Sequence, residues 1–181
     1  MLQKKGRQFA AMKINENGRP ILDIKPTRFD RALEATGVAM LLVLWMFCFY
    51  SYSNTPDIVP IHFGTGGEPD GYGDARTVFL MPVIATVLFV FMSLAARKPE
   101  NFNYTVTITP QNAQRKYKGM LSFMRWIKIS VVMIILLIEF FSFNVAIGKT
   151  DRLPQWLLPA VFAMIFSPVI YFGLKGSNEN S

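Results

Sequence analysis

At 181 residues, with 51% hydrophobic side chains and a mean hydropathy of +0.29, the chain is too apolar for an ordinary water-soluble domain. Its formal charge of +7 sits in clusters between apolar stretches, which argues for lipid headgroups rather than nucleic acid as the partner of those charges. The single cysteine, Cys48, excludes an intramolecular disulfide and reads as a small buried apolar group.

Residues 1–26 are polar and basic and are expected to be weakly ordered on the cytoplasmic side. Thr27 and Asp30 then have the spacing of a capping box, so a helix is expected to start just before the first apolar stretch, residues 32–52. No small-residue cleavage site follows Tyr52, so this stretch is expected to stay as a membrane helix. Three more stretches, residues 78–96, 127–147 and 156–174, also match the ~17–25 residues that cross a hydrocarbon core. Backbone groups in lipid must satisfy one another, so all four are expected to be helices. The sequence thus predicts an all-α integral membrane protein, with one four-helix domain over residues 27–175 and a polar tail at 176–181.

Residues 53–77 join the first two stretches and hold the only histidine, three prolines, five glycines and four carboxylates. Glycines allow positive φ and prolines fix it, so the connection is expected to be a shaped loop. Ile58, Val59, Ile61, Phe63 and Tyr72 supply its apolar groups. The connection at 97–126 is basic instead. Its Tyr104–Thr109 run alternates with period two and predicts a short strand or extended segment. Thr109 and Pro110 have the pattern of an N-cap and first helical residue, opening a third helix that runs to Ile147. Arg115, Lys118, Arg125 and Lys128 would then lie near headgroups. Basic residues flanking alternate connections place both termini and residues 97–126 in the cytoplasm and the shaped loop outside.

His62, with Glu68, Asp70 and Asp74 nearby, could hold a divalent ion; the simpler reading has His62 donating to a loop carbonyl and the acids solvated. The spacing matches no regular metal motif, and neither a metal nor another cofactor is expected. Glu139 stands near the middle of the third stretch, with Ser142 one turn on. Such a carboxylate either marks an ion or proton path or is a protonated group gluing helices together. No nucleophile triad, Cys-x-x-Cys pair or phosphate-binding glycine loop is present.

The run Pro56-Asp57-Ile-Val-Pro60-Ile-His62-Phe63-Gly64, followed by Gly67-Glu68-Pro-Asp70-Gly71-Tyr72-Gly73 and Arg76, resembles a bacterial membrane domain of unknown function. That domain stands at the front of the Sdp-type immunity proteins. Asn103-Tyr104, Thr107–Thr109, Asn112, Tyr117 and Trp126–Lys128 look like its cytoplasmic continuation, so the resemblance spans residues 33–147. It implies a module of the bacterial cytoplasmic membrane, linked in some members to protection against a secreted killing peptide and to signal relay. The expected function is non-enzymatic recognition of a peptide, lipid or membrane protein by the outer loop, with acids favouring a cationic partner and an oligomer compatible with the pattern. The rival readings are a metal-dependent membrane enzyme at His62, and a small transporter or assembly subunit using Glu139.

Overall fold

The computed structural model describes residues 13–178. The basic residues Lys4, Lys5 and Arg7 and the last part of the polar tail, 179–181, lie outside the described residues. Four helices carry the architecture: α1 (Arg28–Asn54), α2 (Leu80–Ala95), α3 (Ala113–Ala146) and α4 (Leu157–Asn178). Each is long and apolar enough to cross a membrane, α2 when taken with the 3-10 turn Ala75–Phe79 that leads into it. Between α1 and α2 stands an antiparallel hairpin, β1 (Ile58–Phe63) and β2 (Pro69–Asp74). The architecture is therefore helical with one small sheet, and the connection read as irregular turns contains a hydrogen-bonded ladder.

The start of α1 is the expected capping box. Asp30 N donates to Thr27 Oγ1 (3.1 Å), and Thr27 N donates to Asp30 Oδ2 (2.9 Å). The start of α3 differs from expectation. Asn112 Oδ1 accepts from Thr109 N (2.9 Å) and holds a turn over Thr109–Asn112, so the helix begins at Ala113 rather than Pro110. At 34 residues it still extends about 51 Å. It is the central helix, touching α1, α2, α4 and β1.

Leu44, Ala85, Phe89, Val132 and Ile135 form the core where α1, α2 and α3 meet. Gly37 lets α1 approach there, since a Cβ at that position would lie 2.9 Å from the Phe89 ring. Cys48 is buried as expected, its thiol donating to Val78 O (3.2 Å). The outward faces stay apolar: Phe91, Met46 and Leu158 are all more than half exposed. Soluble monomers rarely leave such continuous apolar surface open, and lipid contact accounts for it.

Residues 13–26 are folded rather than weakly ordered. Ile14 and Pro20 bridge across a tight turn whose Gly18 has φ +71°, and Asn15 Oδ1 accepts from Asn17 N and Arg19 N. Arg19 then clamps the α2–α3 connection, donating to Glu100 O (3.0 Å) and Phe102 O (2.6 Å). Tyr104, Val106 and Ile108 form no strand. The backbone bends at Thr105 and Val106, and the three side chains pack with Leu22, Ile24 and Tyr117 into a second, smaller core. Burial pushes the Tyr104 phenol above its ordinary range, so it stays a neutral donor to Pro99 O (2.8 Å). The N-terminal segment and the α2–α3 connection thus join at one end of the bundle, while the hairpin meets the α3–α4 connection at the other.

Candidate functional site

The hairpin is anchored at its base, its tip and its inner face. At the base, Ala75 N donates to Asp57 O (2.8 Å), next to Pro56. At the tip, Gly67 has φ +83° and its carbonyl accepts from Leu153 N (2.8 Å) in the α3–α4 connection. A Cβ on Gly67 would stand 2.7 Å from Leu153 O, so both the torsion and the close approach require glycine. On the inner face Val59 is buried, and β1 lies against α3.

The ladder is irregular around the histidine. Pro60 faces Tyr72, His62 faces Gly71 and Phe63 faces Pro69, so Ile61 and Asp70 are each left without an opposite residue. Bulges of this kind re-aim side chains. His62 consequently pairs through Nδ1 with the Asp70 carboxylate, not with a backbone carbonyl. Gly71 and Gly73 leave room across the strands for the His62 Cβ and the Ile61 side chain.

The four loop acids are not a free anionic patch. Glu68 binds Arg152 (2.7 Å), and Asp74 holds Arg76 through two parallel contacts of 2.9 and 2.8 Å. Those hydrogen bonds from the Arg76 side chain and backbone draw the Asp74 carboxyl down to about 2. With Asp70 on His62, three of the four acids have cationic or imidazole partners within the chain. Among the described residues no three metal-ligating side chains converge. What the hairpin does present is apolar: Ile58, Ile61 and Tyr72 are more than half exposed on a fixed scaffold.

Glu139 and Ser142 lie inward of the hairpin. They line a cavity of about 150 Å³ bounded by β1, the ends of α1 and α3 and the start of α2. Glu139 is seven residues from the last residue of α3, about 10 Å along its axis, near the middle of the apolar stretch 127–147.

At the opposite end Arg125 and Lys128, two of the four bases expected near headgroups, pair instead with acids of α1. Lys128 is only 2% exposed and donates to Glu34 Oε2 (2.6 Å) and Ser93 Oγ (2.9 Å), above the Phe89 ring. Arg125 binds Asp30 (2.9 Å) and approaches Glu34 (3.3 Å). Glu34 and Ser93 carry no motif. The available signal was complementary spacing, with acids four apart on α1 and bases three apart on α3 placing each pair on one face.

The sequence pattern of a family described as a domain of unknown function, DUF1648, matches residues 39–86, from α1 through the hairpin into α2. Over 61 residues the chain is 33% identical to an uncharacterized protein of Archaeoglobus fulgidus, covering 34% of this chain and 33% of that protein. The chain thus spans about a third of the length of the curated relative it matches. No solved structure matches.

Proposed function

We propose that this chain is a non-enzymatic, multi-pass membrane protein whose hairpin recognises an apolar partner outside the cytoplasmic membrane. The observation that carries this reading is the exposure of Ile58, Ile61 and Tyr72 on a hairpin pinned by Val59, Gly67 and Glu68. Apolar side chains held on a rigid support bind with little ordering cost, which favours recognition over a mobile cover. Because most hairpin acids already have partners, apolar contact rather than attraction of a cationic ligand supplies the affinity. A hydrophobic peptide or the outer part of another membrane protein fits that surface. Basic residues around the N-terminal segment and the α2–α3 connection support a cytoplasmic position for that end. The resemblance to the Sdp-type immunity proteins supports a protective or signal-relay role, with α3 running from β1 to the folded N-terminal segment as the connecting element.

Mass spectrometry of species retained in mild detergent tests the reading, comparing the natural chain with an Ile58→Ser, Tyr72→Ser double variant. Neither substitution touches the anchoring groups. A peptide or membrane protein held by the natural chain and lost from the variant is the expected result. Retention of the same species by both, with the hairpin equally protected from protease, would make the hairpin a structural element only.

A further inference from the structure

The cavity behind β1 shares Ile61 with the recognition surface but also holds polar groups that hairpin recognition does not use. Glu139 is 93% buried, makes no hydrogen bond among the described residues, and is the only ionisable side chain lining the space. Thr55 Oγ1, at the end of α1, is fully buried on the same wall and has no hydrogen-bond partner. Ser51 and Ser142 add two more hydroxyls, while Val59 and Phe143 line its apolar sides. A buried carboxylate and an orphaned hydroxyl each carry a substantial desolvation cost unless something satisfies them. Among the described residues no lysine, arginine or histidine reaches this wall to do so.

We infer that this cavity is a binding site for a small monovalent cation such as sodium or potassium, with Glu139 as its charged ligand and Thr55, Ser51 and Ser142 as neutral oxygen ligands. Hard alkali cations take carboxylate and hydroxyl oxygens, and one carboxylate balances one positive charge. A divalent ion would leave an uncompensated charge in a low-dielectric wall. The volume of about 150 Å³ accommodates an ion with a few waters, each of which occupies ≈ 30 Å³ in the liquid. Because β1 forms one side of the space, occupancy ties the hairpin to α3.

The test is thermal unfolding of the full chain in detergent, titrated with sodium or potassium chloride against N-methylglucamine chloride at constant ionic strength. Binding to the folded state raises Tm along a saturating curve. The natural chain should show that curve with at least one alkali cation and none with N-methylglucamine. Glu139→Gln, which keeps the side-chain shape, should abolish it, and Thr55→Val should weaken the apparent affinity about tenfold, the loss of one modest ligand. Identical behaviour in all three salts would overturn the inference, as would an alkali effect that survives Glu139→Gln. Should Glu139→Gln fail to fold, the Thr55→Val and Ser142→Ala titrations decide: midpoints unchanged from the natural chain overturn the inference.

Discussion

Removing Glu34 should destabilise the bundle more than removing the lysine it binds. Lys128 is 2% exposed and has one carboxylate partner, Glu34, at 2.6 Å. Glu34→Ala therefore strands an ammonium among Phe89, Ser93 and apolar helix faces. Stranding one member of a fully buried pair costs about 3–5 kcal/mol. The Glu34 side chain is 39% exposed, so water screens part of the interaction, and about 2–3 kcal/mol is expected. For a chain of this size that lowers Tm by roughly 4–12 °C. Lys128→Met keeps most of the volume and the contact with Phe89. The freed Glu34 retains water and Arg125 (3.3 Å), so its loss should cost about 1 kcal/mol or less. The double variant should resemble Lys128→Met alone, so the coupling in the cycle equals the cost of Glu34→Ala, about 2–3 kcal/mol. Thermal or denaturant unfolding of the four proteins in one detergent measures this. Additive losses, or a Lys128→Met protein less stable than Glu34→Ala, would refute the stranded-charge account.

Further outcomes follow from the folded ends of the bundle. Tyr117→Phe removes the donor to Pro20 O (2.9 Å) in a fully buried setting and should cost about 1–3 kcal/mol; faster hydrogen exchange confined to residues 13–26 and their contacts checks it. Gly67→Val forces a branched residue into φ +83° against Leu153 O and should release the hairpin tip, so protease should cut between β1 and β2 in the variant and not in the natural chain. The Asp74 carboxyl is lower in the folded chain than its ordinary ~4. Its stabilising contribution is therefore complete above that range and is lost as pH falls through about 2. A carboxyl NMR titration with its midpoint near the ordinary value would remove the Arg76 contact from the account.

The four helices were legible because their driving pattern is local: each stretch is apolar over a membrane's thickness, and Thr27 with Asp30 marks a start through a three-residue spacing. The hairpin was legible only as a shaped loop. Its glycines and prolines announce turns, but Val59 and His62 become paired strand residues only through Gly73 and Gly71 on the other strand, and through the His62–Asp70 side-chain contact. The polar N-terminal segment misled for a related reason. Arg19 and Tyr117 satisfy backbone carbonyls more than eighty residues distant in sequence, and no local pattern encodes such a bond.

By itself, then, the sequence determined the number of helices, their approximate bounds and the burial of Cys48, because hydropathy and capping act within a few turns of chain. The tertiary structure decided which charges are spent on one another: Glu68 on Arg152, Lys128 on Glu34, and Glu139 on no side chain among the described residues. Pairing depends on which helix faces meet, and that is set by the packing of Gly37, Phe89 and Val132 at the centre of the bundle rather than by the neighbours of any one residue.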